Sequence, residues 1–134
     1  MSQPKECIGG PLVINGRTLS LSKAVRADNF VFLTGQVPMQ DGVPMTTGSV
    51  EDQTRSCIEN IRATLRECGG DLSDIVKSTV WLKDRDDFPG FNSVYTEYFT
   101  EDPPARTGLV SDFLIDIRVE IECVAYMPTG ISLR

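Results

Sequence analysis

Residues 115–126 alternate between apolar and mostly polar side chains. The apolar positions are Ile115, Ile117, Val119, Ile121, Cys123 and Ala125, and the positions between them are Asp116, Arg118, Glu120, Glu122, Val124 and Tyr126. A period of two residues is typical of a strand that has one apolar face and one mainly polar face. The pattern therefore predicts a long strand here, and we expect the rest of the chain to be organised around it.

The segment before this strand is stiffened by Pro103 and Pro104. Each proline fixes its own φ and keeps the residue before it out of the helical region, so Arg106 follows a rigid corner. Glu120 projects from the polar face of the predicted strand. A fixed cation and a fixed carboxylate can form a site for a small anionic substrate. Residue types alone favour a simpler interpretation, in which Arg106 is a surface arginine and the strand is merely half exposed.

Length and charge limit the classes of function that the chain can have. Its 134 residues fit one domain, residues 1–134. The net charge of −6, with no run of Lys or Arg, argues against a nucleic-acid-binding surface. No apolar stretch approaches the length of a membrane span, and residues 1–6 have neither signal-peptide nor transit-peptide character. We therefore expect a cytoplasmic protein that binds neither nucleic acid nor membranes.

Cysteine and histidine usage narrows the possible chemistry further. The four cysteines form no Cys-x-x-Cys pair, and the chain has no histidine. A metal site is not expected, because the usual zinc ligands are missing or scattered. Catalysis by Ser-His-Asp or Cys-His is excluded. Any general acid or base must be a carboxylate, a tyrosine, a lysine, a cysteine or water.

The remaining elements follow from local patterns. The apolar runs on either side of Asn15-Gly16 predict a hairpin. Phe30–Leu33 is a compact apolar run that suits a buried strand, and Gly35 after it suggests a bulge or a close approach to the backbone.

Two helices and a further strand are predicted in the middle of the chain. Ser49 is a good N-cap for the first helix, and Gly69-Gly70 ends it. Its apolar stripe consists of Cys57, Ile58, Ile61, Leu65 and Cys68. Ile75–Leu82 is rich in β-branched residues and predicts a strand. Pro89 marks the first turn of the second helix, whose apolar face consists of Phe91, Val94, Tyr95, Tyr98 and Phe99.

The order of strands, helix, strand, helix and strands predicts a two-layer α+β domain with both helices on one face of the sheet. The opposite sheet face is expected to carry Arg118, Glu120 and Glu122. This face is either solvated or covered by another subunit.

Several short motifs, taken together in their order and spacing, resemble the Rid family, also called the YjgF family. They cover roughly residues 22–126 and are Ala24-Val25-Arg26-Ala27, Thr34-Gly35-Gln36-Val37-Pro38, Asn60-Ile61, Asp74-Ile75-Val76-Lys77, Asp87-Phe88, Phe91-Asn92-Ser93-Val94-Tyr95, Pro104-Ala105-Arg106-Thr107 and Val119-Glu120-Ile121-Glu122. The resemblance implies a chorismate-mutase-like α+β fold with a mixed sheet, and a homotrimer with its sites in clefts between subunits.

The deaminase branch of that family hydrolyses reactive enamines and imines, such as 2-aminoacrylate, 2-iminobutanoate and 2-iminopropanoate, to a 2-keto acid and ammonia without any cofactor. By resemblance, Arg106 binds the substrate carboxylate and Glu120 positions or activates water. Asn92 occupies the position of a family asparagine near the pocket, and Thr34 stands where that branch usually has serine. The chemistry agrees, because an imine carbon is already electrophilic and needs little beyond positioning and a directed water.

Two positions depart from the deaminase branch. Gly108 stands where cysteine is common, and Leu21 stands where tyrosine is common. We expect a pocket that is larger near Gly108 and more apolar near Leu21, because leucine has no phenolic hydroxyl. These departures leave open a non-catalytic, small-carboxylate-binding or regulatory trimer. Endoribonuclease activity, ascribed to some family members, fits poorly with the acidic charge and the missing histidine.

Overall fold

The computed structural model describes residues 5–128, so the prediction of one domain over residues 1–134 extends beyond this range at both ends. The strands are β1 (Glu6–Ile8), β2 (Leu12–Ile14), β3 (Arg17–Leu19), β4 (Ala24–Ala27), β5 (Phe30–Leu33), β6 (Met39–Gln40), β7 (Val43–Pro44), β8 (Ile75–Leu82), β9 (Ala105–Val110) and β10 (Val119–Tyr126). The α-helices are α1 (Val50–Glu67) and α2 (Phe88–Tyr98), and single 3₁₀ turns span Leu72–Asp74 and Arg85–Asp87.

Six strands form one mixed sheet in the order β1-β4-β5-β10-β8-β9. Its pairs are antiparallel except β8 and β9, which run parallel and are connected through α2. The strands β2 and β3 form a separate hairpin whose turn residues Asn15 and Gly16 have φ of 56° and 75°. Two consecutive positive φ values are typical of the hairpin turn that Asn-Gly favours, which confirms that prediction.

Both helices begin where the sequence predicts. The side chain of Ser49 accepts a hydrogen bond from the backbone N–H of Asp52 at 3.1 Å, which caps α1. After α1, Gly69 has a φ of 86°, a left-handed conformation that ends the helix. Pro89 lies in the first turn of α2, where its missing N–H leaves no hydrogen bond unmade.

The core lies between one face of the sheet and the two helices, as the sequence predicts. The predicted stripe of α1 is buried, and so are Phe91, Val94 and Tyr95 of α2. On β10 the buried residues alternate with more exposed ones, and they are Val119, Ile121, Cys123 and Ala125. Within residues 5–128, no helix has the length and apolar character needed to span a membrane.

The predicted burial of Phe30–Leu33 is only half right. Val31 and Leu33 are buried, but Phe30 and Phe32 are 41% and 47% exposed. The helices cover only one face of β5, so the alternate side chains emerge on the open face. There Phe30 lies 5.2 Å from Tyr126, measured between ring centroids, and 6.4 Å from Phe32.

The long predicted strand begins later than the alternation suggests. Residues 111–118 are irregular, and β10 starts at Val119. The chain uses this segment to reverse from β9, and Arg118 donates a hydrogen bond at 2.6 Å to the buried carboxylate of Asp87, just before α2. The prediction that Arg118 lies on the open face beside Glu120 is therefore wrong. A buried carboxylate requires a partner, and Arg118 supplies it.

Candidate functional site

Arg106 lies on the edge strand β9, opposite Ser78 of β8. Its guanidinium carbon lies 4.7 Å from the ring centroid of Tyr95 and 5.6 Å from that of Phe91, both on α2. Its Nη1 donates a hydrogen bond to Oδ1 of Asn92 at 3.0 Å. The side chain therefore lies on the helix face of the sheet, held by cation–π contacts and by Asn92.

The support beneath Arg106 is itself fixed. The hydroxyl of Tyr95 shares a hydrogen bond of 2.6 Å with the hydroxyl of Ser78, and both residues are buried. Burial raises the pKa of Tyr95, so this phenol stays neutral and hydrogen-bonded at neutral pH. From the sequence we predict Tyr95 only as part of the apolar face of α2. In the structure its ring also makes a cation–π contact with Arg106.

A cavity of about 540 Å³ opens beside Arg106. Its apolar walls are formed by Val80, Leu82, Phe88, Phe91, Leu109 and Val110. Gly108 also lines it, and among the described residues other than its two chain neighbours, no atom lies within 4 Å of the place where a Cβ would stand. The charged residues among those that line it are Arg85 and Arg106. Sequence reasoning missed Arg85, which it did not single out as a candidate for the site.

Glu120 lies on the other face of the sheet. It alternates with the buried Val119 and Ile121 of β10 and pairs with Trp81 of β8. Its carboxylate lines a second cavity of about 340 Å³ together with Trp81 and Phe113. Burial, and secondarily the nearby Glu122, raise the pKa of Glu120 above its ordinary value of 4.5. A half-buried carboxylate with a raised pKa is a suitable proton acceptor for a directed water.

Gly35 lies directly against the carboxylate of Glu120. A Cβ at this position would collide with Oε2 of Glu120 and lie 3.3 Å from its carboxyl carbon. The expectation of a close approach at this glycine is therefore met by the Glu120 side chain. Thr34 precedes Gly35, is half-buried, and accepts a hydrogen bond from the Gln36 side chain on its carbonyl oxygen at 3.4 Å.

Leu21 lies in neither cavity. It is 36% exposed and lines a separate shallow depression formed by Gly10, Pro11, Ser20, Leu21 and Ser22. Within one chain the structure thus brings Arg106, Asn92 and Gly108 together, and it places Thr34 close in sequence to Gly35 beside Glu120. It does not bring Arg106 and Glu120 together, because they project from opposite faces of the sheet. In the part of the chain that the structure describes, no cluster of three or more His, Cys, Asp or Glu could hold a metal ion.

Known proteins resemble this chain over most of its length. A model of the family described as Endoribonuclease L-PSP matches residues 17–127. A RutC family protein of Pyrococcus horikoshii is 45% identical over 107 residues, which cover 78% of this chain and 85% of the relative. The chloroplastic Reactive Intermediate Deaminase A of Arabidopsis thaliana is 38% identical over 109 residues, which cover 78% of this chain and 57% of the relative.

Among solved structures, the crystal structure of yeast Mmf1 aligns with a TM-score of 0.83 and 30% identity, covering 92% of this chain and 98% of Mmf1. The fold, the matched family model and these relatives agree with the motifs found in the sequence. The chain belongs to the Rid family, also called the YjgF family.

Proposed function

We propose that this protein is a hydrolytic deaminase that converts reactive enamines and imines of the 2-aminoacrylate type, including 2-iminopropanoate and 2-iminobutanoate, to 2-keto acids and ammonia. The observation that carries the proposal is the fixed Arg106 at an apolar cavity. A guanidinium offers two parallel hydrogen bonds to a carboxylate, and the cavity beside it accommodates the substrate side chain. A relative named Reactive Intermediate Deaminase A supports the same activity.

The proposed reaction consumes one water and needs no redox partner. An enamine such as 2-aminoacrylate first becomes the imine, as its β-carbon gains a proton and its nitrogen loses one. The water oxygen then adds to the carbon of the C=N bond, and the nitrogen takes up a proton. The C–N bond of the resulting tetrahedral adduct breaks as the C=O bond forms, and the nitrogen leaves as ammonia. Glu120 takes one proton from the attacking water and passes it to the nitrogen, and the hydroxyl proton of the adduct follows the same route as the C–N bond breaks.

This mechanism requires two copies of the chain at each site. Arg106 and Glu120 project from opposite faces of the sheet, so Glu120 of one subunit serves the Arg106 cavity of another. The open sheet face carries the exposed aromatic cluster Phe30, Phe32 and Tyr126, which suits burial against a second copy. We propose the homotrimer with intersubunit sites that the family resemblance implies. Light scattering at micromolar concentration tests it, and a monomer mass would contradict both the assembly and the shared site.

The activity is tested with an amino-acid oxidase that generates the imine from 2-aminobutanoate while semicarbazide traps it. The protein should lower the yield of trapped imine and speed keto-acid formation, and Arg106→Ala should abolish this effect. Arg55→Ala is a matched control, because this exposed arginine pairs with Glu97 at 3.0 Å away from the cavity. Loss of activity in both variants, or in neither, would contradict the proposed role of Arg106.

A non-catalytic carboxylate-binding protein is the second candidate. It is favoured by the two departures from the deaminase branch, Gly108 in place of cysteine and Leu21 in place of tyrosine, because leucine cannot donate the hydrogen bond of a tyrosine. Under this alternative the protein binds 2-oxobutanoate through Arg106 but leaves imine hydrolysis unchanged. The net charge of −6 gives no support to an RNA substrate, although the matched family is described as Endoribonuclease L-PSP.

A cytoplasmic location remains part of the proposal, although two relatives are named for the mitochondrion and the chloroplast. Cell fractionation would test it.

A further inference from the structure

The cavity beside Arg106 contains a second cation that the proposed deaminase mechanism does not use. Arg85 lies in the 3₁₀ turn that follows β8, and the described residues that line this cavity with it include no carboxylate. Within residues 5–128, the ion pairs of the structure involve other residues and leave the Arg85 guanidinium without a carboxylate partner. Its neighbour Asp84 accepts a hydrogen bond from the backbone of Asp86, and Asp87 is paired with Arg118.

The two arginines lie toward different ends of the cavity. In the pairing of β9 with β8, Arg106 lies beside Ser78 and Val110 lies beside Leu82. The chain continues from Leu82 to Arg85, so Arg85 lies toward the Val110 end of the cavity. Four strand residues separate the two levels, which corresponds to roughly 13 Å along the backbone. The cavity between these two levels therefore has room for a ligand that carries an anionic group at each end.

The floor between the two cations is open. Gly108 lies on β9 between Arg106 and Val110, on the same side of the sheet, and within residues 5–128 no atom beyond its two chain neighbours would obstruct a Cβ there. A ligand can therefore run along this strand from one arginine to the other. The volume of about 540 Å³ also exceeds what an imino acid with a one- or two-carbon side chain needs.

Charge favours a ligand with two anionic groups. The chain as a whole has a net charge of −6, yet the charged residues that line this cavity are both cationic. Two guanidinium groups at one apolar cavity repel each other unless anions neutralise them, and each matches the planar geometry of a carboxylate.

We propose that the site selects imino acids with an acidic side chain, the dicarboxylic 2-iminosuccinate and 2-iminoglutarate, with the α-carboxylate on Arg106 and the distal carboxylate on Arg85. This inference rests on the proposed deaminase function and specifies its substrate class. The reaction is the same hydrolysis, in which a dicarboxylic imine and water give a dicarboxylic 2-keto acid and ammonia. The enzyme that supplies the substrate must oxidise an acidic amino acid at its amino-bearing carbon or eliminate water or another group from a precursor of the enamine.

The test compares an acidic and a neutral imine in the purified full-length protein. An oxidase acting on aspartate or glutamate generates the dicarboxylic imine, and a second oxidase generates 2-iminobutanoate. The measured quantity is the ratio of the two kcat/KM values. Arg85→Leu should lower this ratio at least about tenfold, because it removes one charge-assisted pair that only the acidic substrate makes. Arg85→Lys should give an intermediate ratio, because the charge remains but the fork is lost.

Lys83→Leu is the matched control. Lys83 lies two residues before Arg85 and carries the same charge, but it does not line the cavity and approaches Asp116 at 4.0 Å. It should leave the ratio unchanged. An equal effect of Arg85→Leu on both imines, or an effect of Lys83→Leu as large as that of Arg85→Leu, overturns the proposal.

A binding measurement separates this inference from the deaminase function itself. Calorimetry with 2-oxoglutarate and 2-oxobutanoate requires no turnover. If the protein hydrolyses neither imine yet binds 2-oxoglutarate more tightly in an Arg85-dependent manner, the deaminase function fails and dicarboxylate recognition stands. The opposite outcome is a protein that hydrolyses 2-iminobutanoate while Arg85→Leu and Arg85→Lys change neither the ratio of the two kcat/KM values nor the binding of 2-oxoglutarate. In that case the deaminase function stands and the dicarboxylate proposal falls.

Discussion

Replacing Gly35 with alanine tests whether the position of the Glu120 carboxylate matters for turnover. The added Cβ would overlap Oε2 of Glu120, and it would lie 3.3 Å from the carboxyl carbon. Gly35 does not have a φ in the left-handed region, so the alanine introduces no backbone strain. The substitution therefore acts on the side chain of Glu120 and not on the local backbone.

The size of the effect follows from the displacement. To restore ordinary van der Waals separation of roughly 3.5 Å, the carboxylate oxygen has to move by about 1 Å. A misplacement of about 1 Å can lower turnover about 100-fold, which corresponds to about 2.7 kcal/mol in the activation free energy. Stability should change little, because Gly→Ala at a compatible φ contributes about 0.4–1 kcal/mol and the displaced carboxylate offsets this gain.

The assay measures kcat/KM for 2-iminobutanoate by semicarbazide competition, together with the urea-induced unfolding of the same preparations. Gly90→Ala is the control, because its Cβ would approach another carboxylate, with Oε2 of Glu51 and the side chain of Val50 both at 2.8 Å, where α2 meets the start of α1. We expect Gly35→Ala to lose turnover with little change in stability and Gly90→Ala to keep turnover. Full activity in a folded Gly35→Ala protein would refute the reasoning, since the carboxylate position would then be irrelevant.

Three further predictions concern single side chains. Arg106→Lys should keep the fold, judged by circular dichroism, but lower kcat/KM about tenfold or more, because an ammonium cannot make two parallel hydrogen bonds. Glu120→Gln should lower turnover about 100-fold while Glu122→Gln has little effect, and equal losses in both variants would point to an interface effect. Since burial raises the pKa of Glu120, the kcat/KM of the wild-type protein should begin to fall on acidification already above pH 4.5. Arg118→Leu should lower the free energy of unfolding by about 2–3 kcal/mol in urea titrations, because it leaves the buried Asp87 carboxylate unpaired, and an unchanged midpoint would show that the pair contributes nothing.

Elements with local signals were predictable from the sequence. The N-cap at Ser49, the proline in the first turn of α2 and the Asn-Gly turn each depend on residues that are neighbours in the chain. The strand Ile75–Leu82 has the predicted bounds, because β-branched and aromatic residues recur along its length. The α+β class followed from the order of these elements alone.

Features that depend on distant contacts were not predictable. The strand β9 has no buried residue in this chain, so it lacks the alternation that reveals β10. The irregular residues 111–118 continue the apolar alternation of β10 in the sequence. They stay out of the sheet because the chain reverses there and Arg118 is hydrogen-bonded to Asp87. The second cation, Arg85, has no local signal in the sequence, because only the fold brings it to the cavity of Arg106.

The separation of Arg106 from Glu120 has a chemical consequence. If the two side chains were adjacent in one subunit, they would form an ion pair, which would lower the pKa of the carboxylate and occupy the guanidinium donors that a substrate needs. On opposite faces, Glu120 keeps a raised pKa, and Arg106 is held by aromatic rings and by the neutral Asn92. In the proposed assembly the two groups meet across a subunit boundary, where the substrate carboxylate neutralises Arg106. Glu120 then remains available to take the proton of the attacking water. A site built from two subunits therefore avoids an ion pair between the anion-binding arginine and the carboxylate that acts as base.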